Sequence, residues 1–110
     1  IWDSAVGFHK DMYVKDQFMC LSFQQKKALP IGKGGAILLS QKEDYEVLKR
    51  MAWDGRDASI SVQEDLDNII LGYHMNMTPD DAAKGLLLLN QYSPSKDNQG
   101  CWLDYPNLDI

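Results

Sequence analysis

A hydroxyl, an amine and a glycine-rich turn follow one another in the run Ser22-Phe23-Gln24-Gln25-Lys26-Lys27-Ala28-Leu29-Pro30-Ile31-Gly32-Lys33-Gly34-Gly35. A set of this kind can hold a phosphate and an aldehyde at once. Ser22 can donate a hydrogen bond to a phosphate oxygen. Lys27, further along, can condense with a carbonyl once its neutral form is accessible, a state favoured by neighbouring positive charge or desolvation. Lys26 stands beside it, but adjacent residues on a strand point to opposite faces, so Lys26 is assigned a solvated role. The glycines permit backbone conformations, and close approach of the chain, that a side chain would forbid. A lysine near glycines taken alone is an ordinary exposed residue; the complete spacing is what favours chemistry. Two nucleotide motifs are excluded. Lys33 is followed by Gly34, not the Ser or Thr of a P-loop, and no Gly-x-Gly-x-x-Gly joins a strand to a helix.

The pattern Ser-Phe, three variable residues, Lys, then Gly-x-Gly-Gly resembles the lysine segment of the DegT/StrS family of nucleotide-sugar aminotransferases, which use pyridoxal phosphate (PLP). Ser22, Phe23, Lys27, Gly32, Gly34 and Gly35 all fall in register. The resemblance implies that Lys27 is catalytic, holding the cofactor as an imine and moving a proton between the substrate carbon and the cofactor. Asp3-Ser4-Ala5 is similar to the family's Asp-Ala-Ala segment, which implies that Asp3 pairs with the pyridine nitrogen. A carboxylate there keeps the nitrogen protonated and the ring an electron sink. An aspartate ending a strand also caps turns, and Val6 stands where the family has Gln or His. Gly72-Tyr73-His74-Met75-Asn76-Met77-Thr78 resembles the family's Gly-Tyr-Asn-Tyr-Arg-Met-Thr loop, and Ala82, Ala83 and Gly85 continue the likeness. His74 takes the place of an asparagine that reaches a neighbouring subunit's cofactor phosphate, and imidazole can donate an equivalent bond. An ordinary turn histidine is the other reading, and both stay open. Asn76 replaces the family's arginine.

The likeness covers most of residues 1–90. It implies a nucleotide-linked keto sugar as substrate, an amino acid such as glutamate as donor, a homodimer, and cofactor contacts from Asp3, Ser22, Lys27 and His74. It also implies an α/β fold, part of the large domain of a fold-type I PLP-dependent transferase with about three strands and flanking helices. Because the chain opens at Ile1 and the family is longer, the expectation is an internal or C-terminal piece of such an enzyme, residues 1–91 being partial large domain and 92–110 an irregular tail. The rival reading is a non-catalytic, self-associating α/β fragment without a complete cofactor site, since three strands make a narrow sheet. A generic α/β ligand-binding module is a third.

Composition sets the outer limits. With 45% hydrophobic and 25% charged residues, the 110-residue chain reads as one soluble, cytoplasmic domain. A formal net charge of -5, with basic residues scattered, argues against a nucleic-acid partner. No apolar run reaches the roughly 18 residues of a membrane span. Cys20 and Cys101 read as free thiols, and with His9 and His74 they lack metal-ligand spacing.

Three apolar runs must position the chemistry: residues 1–5, 17–23 and 35–39, expected as strands covered on both faces. Ser40 and Glu43 suggest a capping box for a helix whose face carries Val47, Leu48, Met51 and Ala52, stopped by Asp54-Gly55. Residues 56–68 read as irregular. Thr78, Pro79, Asp80 and Asp81 open a second helix. Its run Leu86 to Leu89 wraps most of the circumference, so near-complete burial is expected.

Overall fold

A computed structural model describes residues 1–92. The expected tail, apart from Tyr92, lies outside the described residues, and Cys101 with it. The three apolar runs form three short strands in one mixed sheet, β1 (Trp2–Asp3), β2 (Met19–Ser22) and β3 (Gly35–Leu38), in the order β1-β2-β3. β1 runs parallel to β2, with Asp3 opposite Cys20; β3 runs antiparallel, with Gly35 opposite Ser22. The helices are α1 (Lys42–Ala52), α2 (Val62–Asp65) and α3 (Pro79–Gln91), and a single 3₁₀ turn (Leu66–Asn68) follows α2.

The sheet is covered less than its composition suggests. Met19 and Leu21 on β2 are buried, and among the described residues Leu29 and Ile31 from the following loop complete the buried apolar core. β3 alternates exposed and half-buried residues, with Ile37 47% exposed, and Trp2 on β1 is exposed too. The expectation of strands covered on both faces is therefore corrected. Among the described elements, neither α1 nor α3 lays a face on the strands.

α3 instead leans on loops. Lys84 Nζ donates to the Ile31 carbonyl oxygen at 2.5 Å, and Gly85 is buried against the Ile31 side chain. At the other end Tyr92 donates its hydroxyl hydrogen to the Phe8 carbonyl, and the two rings lie 5.1 Å apart. Only one side of the helix is covered in this way. Leu86 and Leu87 remain 66% and 64% exposed, which overturns the burial expected of the leucine run. Four successive residues spaced about 100° apart cannot all face one support.

The helix starts divide in the same manner. At α3 the expectation holds: Thr78 Oγ1 accepts from the Asp81 amide, and Pro79 opens the helix. At α1 it does not. Gln41 is the N-cap and no side chain caps the helix. Ser40 lies one residue before the N-cap and donates to Asp16 Oδ1 at 3.1 Å, a contact with the distant connector. The capping box lies in the segment read as irregular, where Ser61 and Glu64 satisfy each other's amides at the start of α2.

Candidate functional site

Parallel pairing brings the C-terminal ends of β1 and β2 to one edge of the sheet. Residues opposite one another in a parallel ladder point to the same face, and residues two apart on a strand share a face. Asp3 is opposite Cys20, and Ser22 lies two residues beyond Cys20, about 7 Å along β2. The Asp3 carboxylate and the Ser22 hydroxyl therefore share a face at the sheet's edge, while Met19 and Leu21 bury the other face. Each is engaged locally. Asp3 Oδ1 accepts from the Ala5 amide at 3.0 Å, and Ser22 Oγ accepts from the Gln24 amide at 3.3 Å. Both keep capacity for a further partner.

Lys27 follows in the loop that joins β2 to β3. Its amide bonds the Gln24 carbonyl at 2.9 Å, so Lys26 and Lys27 stand in a turn, and the rule that neighbours on a strand face opposite ways does not apply to them. The loop is closed by Phe23 N–H to the Gly34 carbonyl and Gly32 N–H to the Phe23 carbonyl, both at 2.9 Å. Leu29 and Ile31 anchor it in the core. Lys27 is half-buried, and among the described residues no hydrogen bond or ion pair commits its amine. Two of the glycines have visible reasons. Gly34 adopts φ +87°, and a Cβ on Gly35 would stand 2.3 Å from the Leu21 carbonyl oxygen. Residues 5–8 lie against Ser22, Phe23, Ala28 and Leu29, with no room between them for a water molecule.

The glycine turn also meets the loop before α3. Lys33, Gly34 and Gly35 line a cleft of about 250 Å³ with Met75, Asn76, Met77 and Thr78, and Lys33 Nζ lies 4.0 Å from Asp81. Two segments singled out separately in the sequence thus become neighbours.

His74 belongs to a second assembly. The end of α1 and residues 70–75 are laced together by backbone bonds: Tyr73 N–H to Met51 O at 2.6 Å, Asp54 N–H to Tyr73 O at 3.0 Å, and Met75 N–H to Ala52 O at 3.0 Å. A Cβ on Gly72 would fall 1.8 Å from the Gly55 nitrogen, and one on Gly55 would fall 1.9 Å from the Ile70 carbonyl oxygen. Only glycine allows the two backbones this close. His74 Nδ1 meets the Asp54 carboxylate at 3.2 and 3.3 Å, an interaction that the reading of Asp54-Gly55 as a helix stop missed. No spacing rule links residues 54 and 74.

Beside it sits the most closely partnered polar group. Asp65 is 1% exposed and accepts from Arg50 Nη1 at 2.8 and 3.1 Å and from the Asp57 amide at 2.7 Å. The amide bond first, then the guanidinium, hold its carboxyl below the usual carboxylate range. The same contact raises Arg50, and the Ser59 hydroxyl lowers Asp57. Among the described residues no group of three His, Cys, Asp or Glu side chains could hold a metal ion, and no helix is long and apolar enough to cross a membrane.

A carboxylate and a hydroxyl on one face, with an uncommitted amine in the next loop, suit a ligand carrying a basic ring nitrogen, a phosphate and a carbonyl. Residues 10–98 match the model of the DegT/DnrJ/EryC1/StrS aminotransferase family, and the chain belongs to that family, whose members generally depend on PLP. Ser22, Lys27 and His74 fall inside the matched segment, and Asp3 precedes it. No curated protein and no solved structure matches the chain.

Proposed function

We propose that this chain carries the lysine-bearing part of a PLP-dependent aminotransferase of fold type I, acting in the cytoplasm as a homodimer. It would pass an amino group from an amino acid, such as glutamate, to a nucleotide-linked keto sugar. The observation that carries the proposal is the placement of Asp3 and Ser22 on one face of parallel strands, with half-buried Lys27 in the loop that follows. When bound, the cofactor supplies a reactive carbonyl and a ring that delocalises an electron pair. Lys27 Nζ would attach to it covalently and carry a proton to and from the reacting carbon. The Asp3 carboxylate would accept a hydrogen bond from the ring nitrogen, and Ser22 Oγ would donate to the phosphate. His74 would reach the phosphate of the partner subunit.

The chain treated with PLP and then borohydride should carry its label on Lys27, located by peptide mass, and Lys27→Ala should lose it. Label spread over Lys26 and Lys33 and unchanged by Lys27→Ala would refute the assignment.

A second reading has observations of its own. The close packing of residues 5–8 against Ser22 and Ala28, with the exposure of Leu86, Leu87 and Ile37, favours a non-catalytic chain that self-associates. Sedimentation showing concentration-dependent assembly, together with no specific label, would select it.

A further inference from the structure

His74 is placed by more than its loop. Its backbone bridges to Trp53, the neighbouring Tyr73 and Met75 amides bond α1 carbonyls, and its ring meets Asp54. Asp54 is itself held in the left-handed region, at φ 56°, with its amide bonded to Tyr73 O. Few residue types sit there comfortably besides glycine, aspartate and asparagine. Both ends of the pair are thus fixed by backbone, and the side chains close the ring.

We propose that Asp54 is the positioning residue of His74: its carboxylate takes the Nδ1–H, and Nε2 is left as the ring nitrogen offered to a phosphoryl oxygen. An ionised carboxylate only accepts, so the Nδ1 it contacts must carry the hydrogen. The neutral tautomer with hydrogen on Nε2 is thereby excluded. Nε2 donates to a phosphoryl oxygen when both ring nitrogens carry hydrogen, with the Nδ1–H held by Asp54. The His74 side chain is 78% exposed, which leaves Nε2 open to a ligand. Asp54 would touch no phosphate itself. The proposal rests on the reading of His74 as a phosphate contact, and it assigns a carboxylate to what was a bare histidine.

The test is ¹⁵N-resolved NMR of the ring nitrogens in the full chain, titrated with inorganic phosphate, with His74→Gln identifying the signals. The expected result is a protonated Nδ1 and a phosphate-dependent shift at Nε2. Asp54→Asn keeps a residue suited to φ 56° and should weaken the apparent phosphate affinity about two- to fivefold, the scale of an exposed ion pair. It should also redistribute the ring hydrogens. A parent Nδ1 without hydrogen, the absence of any phosphate-dependent shift, or a shift unchanged by Asp54→Asn would each overturn the proposal. Lys27 labelling is scored separately. If labelling fails while the shift depends on Asp54, the cofactor reading falls and the dyad stands; the reverse outcome removes the dyad alone.

Discussion

The edge of the sheet and the end of α1 are built on opposite terms. At the edge, apart from the strand pairing, the Asp3 and Ser22 side chains and the Lys27 amide make few bonds, and those are local, within two or three residues. At the end of α1, Arg50, Asp57 and Asp65 exchange bonds across 8 and 15 residues, and Gly55 and Gly72 meet backbone to backbone. One region leaves its chemical groups uncommitted and the other leaves almost none. A reactive amine has to be accessible to its substrate, whereas a scaffold gains rigidity by satisfying every polar atom it buries. Low partnering at the edge is therefore what a reactive site needs, provided another region holds the chain in place.

Substitution can break that contrast. The largest loss of stability is expected from Gly72→Ala and Gly55→Ala, on the order of 3 kcal/mol each, since the added Cβ meets backbone that cannot turn aside. The urea midpoint measures it, and a midpoint equal to the parent's would show that the two segments are not interlocked. Asp65→Asn comes next. It removes the buried charge that Arg50 hydrogen-bonds, leaving the guanidinium only Asp57 at 3.7 Å, and should lower the thermal midpoint clearly. The folded Asp65 carboxyl lies below its ordinary value of 3.8, so its contribution is complete above that pH and is lost as the pH falls through the folded value. The parent should lose stability with acid below about pH 4, and Asp65→Asn should flatten that dependence.

Smaller effects sharpen the comparison. Ser61→Ala should cost about 1 kcal/mol by removing a side-chain cap, and Ser40→Ala should cost less, because Ser40 caps nothing. Equal losses at the two serines would return the capping box to α1. Gly85→Ala should stay within about 1 kcal/mol of the parent. Its Cβ would meet only the tip of the Ile31 side chain, at 2.7 Å, and alanine favours the helix. Smallest of all, Lys27→Ala should move the midpoint by about 0.5 kcal/mol or less while removing the PLP label. A large loss of stability there would make Lys27 part of the scaffold.

The two regions were also unequally legible. Ser22, Lys27 and the glycines are near one another in sequence, so their spacing alone points to a shared chemistry. Thr78-Pro79 announced α3 for the same reason, since a cap acts within one turn. The segment 56–68 was read as irregular because it is polar. Its order comes from Asp65, whose partners lie 8 and 15 residues away. Leu86 to Leu89 misled in the other direction: hydropathy measures the gain from burial but not whether a neighbour is there to provide it.

Sequence alone indicated approximately where the strands and long helices run, and the family to which the chain belongs. Tertiary structure decided that Ser40 bonds Asp16 in place of its own helix, that His74 is paired with Asp54, and that α3 rests on a loop with its leucines exposed. The division has a physical origin. Strand periodicity and caps act over one turn or one residue pair, whereas carboxylate pairing and helix docking depend on which distant segments the fold brings within a few ångströms.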